Sequence, residues 1–137
     1  MLKFDNVSLR YGSFQALDQV SLHADKGELV VLLGANGAGK SSLFLTASGI
    51  HKAAGGTITW NDQVLTGRKP SAIVQAGLVQ CPEGRKLFPQ MSVRKNLELG
   101  AYVHRRDPAP SARMLEEVLD LFPILTGGEI KKEWAAR

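Results

Sequence analysis

The segment Leu29-Val-Val-Leu-Leu-Gly-Ala-Asn-Gly-Ala-Gly-Lys40-Ser41 joins a continuous apolar run to a glycine-rich stretch that fits the pattern G-x-x-x-x-G-K-[ST]. The apolar run Leu29–Leu33 predicts a β-strand buried on both faces, and the spacing of apolar residues after the glycines predicts a helix. Glycines let backbone N–H groups converge on a phosphate, because no Cβ stands in the way. The first turn of the helix adds unpaired N–H groups and its dipole at the same place. The segment therefore predicts a phosphate-binding loop between a strand and a helix.

Two side chains of this loop carry specific chemistry. Lys40 supplies a positive charge for the β- and γ-phosphates, and the hydroxyl of Ser41 is a suitable Mg²⁺ ligand. The alternative is a glycine-rich turn that binds nothing, but the predicted strand before the loop and the helix after it disfavour that interpretation. We therefore expect a nucleoside triphosphate site.

Length and composition indicate one soluble globular domain. The chain has 137 residues, of which 44% are hydrophobic and 22% charged, close to the average for globular proteins. Its apolar runs are far shorter than the roughly 18 residues of a membrane-spanning helix, and its start lacks the pattern of a secretory signal. With a single cysteine, Cys81, it forms no internal disulfide. Disordered, collagenous, disulfide-stapled and membrane-spanning classes are excluded.

The order of patterns predicts two parts, residues 1–82 and residues 83–137. Alternating apolar residues predict two strands on either side of Tyr11-Gly-Ser13, with a turn or bulge at Asp5-Asn6. Further strands are predicted over Thr57–Trp60 and Leu78–Cys81, and a helix over Ser71–Ala76. The second part is predicted to be helical. Ser92 is a good N-cap for its first helix, residues 107–110 are predicted to form a linker, and Ser111 opens a further helix.

Positive charge is concentrated in one stretch. The net charge of the chain is +4, and residues 84–106 contain six basic residues against the single acid Glu98. A solvated helix face is the first interpretation of such a run, and a protein contact surface is the second. The basic pairs are not interleaved with aromatic residues, so we predict no nucleic-acid partner.

Tyr11 is the candidate for recognition of the base. It closes the first strand just before a glycine, 23 residues ahead of Gly34, and an aromatic ring there can stack on adenine. The alternative is an ordinary tyrosine at a strand end.

Taken together, Tyr11-Gly12, Ala16–Ser21, the glycine-rich loop, Gly55-Gly56 and the loop at Glu83 resemble the ATP-binding subunits of ABC transporters. Pro82-Glu-Gly-Arg followed by Leu87-Phe-Pro is similar to the branched-chain amino acid importers in particular. The resemblance implies an α/β P-loop NTPase fold with an N-terminal antiparallel β subdomain, an incomplete RecA-like core and a helical subdomain. It also implies ATP and Mg²⁺ as cofactors, a membrane permease and a second ATP-binding subunit as partners, and a peripheral location on the cytoplasmic face of the membrane.

Residue roles follow from the same resemblance. Tyr11 would stack on adenine, and Lys40 and Glu83 would be catalytic residues. Ser41 and Glu83 would lie near Mg²⁺. Most of the family has Gln where this chain has Glu83, and the alternative role for Glu83 is an exposed loop acid. The basic pairs Arg85-Lys86 and Arg94-Lys95 would lie near the permease. The phosphate cradle would consist of Asn36, Gly37, Ala38, Gly39, Lys40, Ser41 and Ser42.

Other family features are missing from the sequence. No Walker B strand, D-loop or switch histidine follows the helical part, so we expect the chain to be the first part of a larger domain, with an exposed sheet edge, marginal stability, ATP binding and poor hydrolysis. Leu125-Thr-Gly-Gly-Glu129 is similar to the family's signature motif but follows Pro123 too closely. We therefore favour the interpretation that it is a chance likeness over the interpretation that it is the signature itself.

Three functional alternatives remain open at this stage. The first is a nucleotide-binding regulatory protein of ABC type that meets no permease. The second is a subunit of a urea or amide importer, since such subunits are similar. The third is a P-loop phosphotransferase outside the ABC family.

Overall fold

The computed structural model describes residues 1–84, 86–106 and 108–127. The chain divides into two units, Met1–Cys81 and Pro82–Arg137, and the elements of each unit are given separately. The first unit contains all four described strands and the glycine-rich loop, whereas the second is helical.

The first unit is built on a four-stranded antiparallel sheet. Its strands are β1 (Leu2–Tyr11), β2 (Phe14–Ala24), β3 (Gly55–Trp60) and β4 (Gln63–Val64), in the spatial order β2-β1-β3-β4. The predicted hairpin between the first two strands is confirmed, with Tyr11 paired to Phe14 across the turn.

The predicted irregularity at Asp5-Asn6 is also confirmed. The register of β1 on β2 shifts between Phe4 and Val7, and Asn6 has a φ of 50°. The N–H of Asn6 donates to the hydroxyl of Ser21 at 2.9 Å. The bulge therefore replaces one ladder hydrogen bond with a side-chain bond, and Phe4 and Val7 both remain on the buried face.

Two helices cover the buried face of this sheet. α1 (Lys40–Ala47) and α2 (Pro70–Gln75) lie where the sequence predicts helices, and α2 begins at a proline, which needs no N–H partner in the first turn. Apolar side chains of the sheet, the helices and the turn after β4 form one core, which consists of Phe4, Val7, Leu9, Leu17, Leu43, Ala47, Ile58, Leu65 and Ile73.

The strands predicted over Leu29–Leu33 and Leu78–Cys81 are wrong. Within the described residues neither segment pairs with a strand, and Leu29 and Leu33 are 87% and 90% exposed. A strand buried on both faces needs neighbours that bond its backbone and cover its side chains. The described strands all pair with one another in the antiparallel sheet. None is therefore left to bond the backbone of these two segments or to cover their side chains.

The helical unit begins with an irregular segment and continues through α3 (Val93–Gly100), a 3₁₀ turn (Tyr102–His104), α4 (Pro108–Leu121) and a second 3₁₀ turn (Pro123–Gly127). The predicted cap is confirmed, since the Ser92 hydroxyl accepts a hydrogen bond from the N–H of Lys95.

The predicted linker over residues 107–110 is wrong for its described part. α4 begins at Pro108, three residues before Ser111. Pro108 and Pro110 fit there because the first-turn N–H groups of a helix have no intrahelical acceptor, so proline loses no hydrogen bond.

Across the described ranges, every helix is too short or too polar to cross a bilayer.

Candidate functional site

The glycine-rich loop folds as a tight turn that leads into α1. Gly37 and Gly39 have φ values of 86° and 87°, which favour glycine, and the N–H of Ala38 donates to the Ala35 carbonyl at 3.2 Å. A Cβ on Gly39 would lie 2.7 Å from the carbonyl oxygen of Ala16 on β2. Gly39 is therefore required both by its backbone angle and by the close approach of β2.

Lys40 turns back across the loop. Its ammonium group donates to the carbonyl oxygens of Gly34 at 2.6 Å and Ala35 at 2.7 Å. Within the described residues no carboxylate pairs with this half-buried lysine, whose two contacts are with neutral carbonyls. The loop thus presents a fixed cation with no counter-ion of its own.

The N-terminal end of α1 adds donors beside this cation. The N–H groups of Lys40, Ser41 and Ser42 have no backbone acceptor within the described residues, and the helix has neither a side-chain cap nor an acid in its first turn. Unpaired N–H groups and the positive end of the helix dipole attract anions. The arrangement is suited to a phosphate group.

The two serines of the first turn differ in their surroundings. Ser41 is exposed and its hydroxyl makes no hydrogen bond to any described residue. The hydroxyl of Ser42 lies 3.3 Å from the phenol oxygen of Tyr11. Ser41 is therefore free to bind a ligand or a cation, whereas Ser42 links α1 to the end of β1.

Tyr11, predicted to contact the base, lies beside the loop. Its ring is 41% exposed, and the imidazole of His51 packs edge-on against it, with centroids 5.2 Å apart and planes at 87°. Sequence reasoning missed His51, which is 40 residues from Tyr11 and belongs to no motif. The pairing holds one side of the ring while much of the tyrosine remains open to solvent.

Glu83 belongs to the second unit. It is exposed and makes no hydrogen bond or ion pair within the described residues. The structure therefore groups Tyr11 with the loop residues 36–42 in one unit. The roles of Glu83 at Mg²⁺ and in catalysis stay predictions.

The segment after Glu83 is organised by Asn96. Its side-chain nitrogen donates to the carbonyls of Phe88, Met91 and Ser92, and its side-chain oxygen accepts from the N–H of Phe88 at 2.9 Å. One amide thus fixes the entry to α3. No sequence pattern assigned this role to Asn96.

Most basic residues of the second unit are exposed. Arg94 pairs with Glu98 at 2.9 Å, one turn away, and Arg105 lies over the ring of Tyr102 at 4.6 Å. These contacts fit the predicted solvated helix face. Arg85, and Gly128 and Glu129 of the signature-like segment, lie outside the described residues.

Clustered metal-ligating side chains are absent from the described ranges: no group of three or more His, Cys, Asp or Glu residues there is arranged to hold a metal ion. What the first unit does bring together beside its glycine turn is one lysine, the N-terminal end of α1 and the aromatic ring of Tyr11.

Comparison with known proteins identifies the family of the chain. The family model described as "ABC transporter" matches residues 17–134, which is most of the chain. The chain belongs to the ABC transporter family. The expected fold is confirmed with it, since solved ATP-binding cassettes share the arrangement of an antiparallel sheet and helices.

Two curated members of the ABC transporter family show how the chain relates to whole proteins. It is 42% identical over 125 residues to the high-affinity branched-chain amino acid transport ATP-binding protein BraG of Pseudomonas aeruginosa, covering 91% of this chain and 53% of BraG. It is 34% identical over 137 residues to the sulfate/thiosulfate import ATP-binding protein CysA of Bacillus cereus, covering 99% of this chain and 38% of CysA. The chain thus spans about half the length of these relatives, or less.

A solved structure agrees with this relationship. The ADP conformation of an ATP-binding cassette of an ABC transporter superposes with a TM-score of 0.66 at 31% identity, covering 83% of this chain and 45% of that one. The likeness is therefore one of fold and sequence together.

Proposed function

We propose that the chain binds ATP through the loop Asn36–Ser42. The observation that carries this proposal is the ammonium group of Lys40 held at the mouth of the loop, beside three unpaired N–H groups of α1. A triphosphate supplies the negative charge that this cluster lacks. The Lys40 ammonium group has three N–H donors, of which two bond the carbonyls of the loop, so one remains to donate to a phosphate oxygen.

The other residues of the site have features that suit the Mg²⁺ ion and the adenine base of the same ligand. Ser41 has a free, exposed hydroxyl next to the phosphate position, which fits a Mg²⁺ ligand. Tyr11 presents an open ring for stacking on adenine, and the contacts with Ser42 and His51 hold it. When bound, Mg²⁺ would neutralise charge on the β- and γ-phosphates.

The wider function that we propose is that of the ATP-binding subunit of an importer for branched-chain amino acids. The 42% identity to BraG supports this substrate class, as does the sequence Pro82-Glu-Gly-Arg that resembles those importers. The 34% identity to CysA, whose name specifies sulfate and thiosulfate, makes an oxyanion importer the second candidate.

Partners and location belong to the same proposal. A permease and a second ATP-binding subunit would complete the importer, and the chain would lie at the cytoplasmic face of the membrane against that permease. Exposed Lys86 and Lys95 are our candidates for part of the contact. Glu83 would lie near Mg²⁺ and the attacking water in the assembled protein. Hydrolysis by the 137-residue chain alone would be slow, because its sequence contains no Walker B strand.

Uptake of radiolabelled leucine by cells in which the gene is deleted, with and without complementation, tests the transport function. Loss of leucine uptake that the chain's gene restores is the expected result. Loss of sulfate or urea uptake instead would overturn the substrate class. Unchanged uptake of all three, together with ATP binding by the purified chain, would favour a regulatory protein that meets no permease.

A further inference from the structure

A second concave region of the first unit lies at the opposite end of α1 from the phosphate-binding loop. It is a cavity of about 300 Å³, a size at the lower end of small-molecule sites. Gly49 and residues 51–53, which follow α1, form one wall, and residues 66–70, which lead into the first turn of α2, form the other. None of the loop residues 34–42 lines it.

The two walls of the cavity are held in place by the backbone. Gly49 has a φ of 73°, and a Cβ there would lie 2.8 Å from the carbonyl oxygen of Arg68. The N–H of Ile58 donates to the Thr66 hydroxyl at 2.6 Å, and the N–H of Leu65 donates to the Ile58 carbonyl at 2.8 Å. The cavity is therefore preformed by bonds that do not depend on a ligand.

The rim of the cavity is basic. Lys52, Arg68, Lys69 and His51 line it, and no acidic residue does. Among the described residues neither lysine makes an ion pair, and the guanidinium of Arg68 has only the neutral amide oxygen of Gln63, at 3.4 Å. Three uncompensated positive charges around one concavity attract an anion.

The base of the cavity has a different character. Ile58 is 1% exposed, Thr46 is 4% exposed, and the hydroxyl of Thr46 is already used in a bond to the Ser42 carbonyl. Ala53 is half-buried beside them. The base therefore offers apolar contact and no free polar group, so the charge of a ligand must face the rim.

We propose that this cavity binds a small organic anion, a carboxylate or a phosphate, with its charge at Lys52, Arg68 and Lys69 and its apolar part against Ile58. The site is separate from the proposed ATP site and goes beyond the proposed function. His51, which packs against Tyr11, also lines this cavity, but none of the loop residues 34–42 does, so ligands would occupy the two sites simultaneously.

The test is a titration of the ¹⁵N-labelled 137-residue chain, followed by NMR with ATP saturating the other site. The probes are isovalerate, inorganic phosphate and the neutral analogue isovaleramide. We expect amide shifts at residues 51–53 and 66–69 with isovalerate or with phosphate, and none with isovaleramide. The stronger anion identifies the charged group that the site takes. Shifts confined to residues 34–42, or equal shifts with isovaleramide, would overturn the proposal.

Substitutions supply a second measurement. The double variant Arg68→Gln/Lys69→Gln should weaken binding of the effective anion at least tenfold. Lys3→Gln/Lys26→Gln, which removes the same charge from exposed residues away from the cavity, should weaken it less than twofold. Equal affinity of the two double variants would contradict a site at the rim. Amide signals of β1 and β2 that move only next to the substituted positions would show that both variants are folded.

Discussion

The ammonium nitrogen of Lys40 lies 2.6 Å from the carbonyl oxygen of Gly34, the first glycine of its own motif. This bond, with its companion to Ala35, closes the loop around a cation that has no carboxylate partner within the described residues. The loop is therefore shaped before a ligand arrives, and the entropy cost of ordering it on binding is small.

Lys40→Ala should lower the affinity for ATP at least tenfold, because hydrogen bonds to a charged group contribute about 1.5–3 kcal/mol. Isothermal titration calorimetry of the purified chain with ATP measures the change in affinity. Lys26→Ala removes an equal charge from an exposed turn outside the loop and should leave the affinity within twofold. An unchanged affinity in a folded Lys40→Ala variant would show that the loop does not hold the phosphates.

Gly39→Ala should destabilise the chain by about 2 kcal/mol more than Gly27→Ala, measured by urea unfolding. Both glycines have positive φ, at 87° and 80°, so both substitutions incur the cost of a left-handed backbone. At Gly39 a Cβ also meets the carbonyl of Ala16 at 2.7 Å, whereas at Gly27 nothing lies within 4 Å. Equal urea unfolding midpoints for the two variants would mean that β2 moves away from a Cβ at position 39 without a cost in free energy.

Tyr11→Ala should weaken ATP binding about tenfold but leave the binding of inorganic tripolyphosphate nearly unchanged, since stacking of a base on an aromatic ring contributes about 1–3 kcal/mol. Tyr11→Phe keeps the ring and removes only the contact with Ser42. We expect it to bind ATP within threefold of the natural chain. A parallel loss of ATP and tripolyphosphate binding in Tyr11→Ala would instead indicate that Tyr11 supports the loop.

Asn96→Ala should loosen the segment before α3 by about 2–3 kcal/mol, because it removes several hydrogen bonds from one amide. Hydrogen exchange at the N–H of Phe88, which donates to Asn96, measures the effect directly and should accelerate at least tenfold. Gln90→Ala, in the same segment but exposed, is the matched control and should leave that rate unchanged. Similar rates in both variants would show that Asn96 does not order the segment.

Several elements could be predicted because their causes lie within a few residues. The hairpin turn after Tyr11, the cap at Ser92 and the proline that opens α2 all depend on neighbours in the chain. Residue type and spacing are therefore enough to indicate such features.

Other features depend on partners far along the chain. The segment Leu29–Leu33 has the composition of a buried strand, yet a strand requires bonding neighbours, and none is present among the described residues. The start of α4 at Pro108 also differs from the prediction, because two prolines have the composition of a linker, although the first turn of a helix accepts proline.

The sequence by itself determined the antiparallel hairpin and the family, and it predicted the phosphate-binding role of the glycine-rich loop, since these features are encoded by short patterns with a direct physical meaning. Only the tertiary structure decided that Tyr11 contacts Ser42 and His51, 31 and 40 residues away. It also brought residues 49–53 and 66–70 together around a basic cavity. Contacts at such separations are set by how the sheet and helices pack around a common core, and no local spacing of residues records that packing.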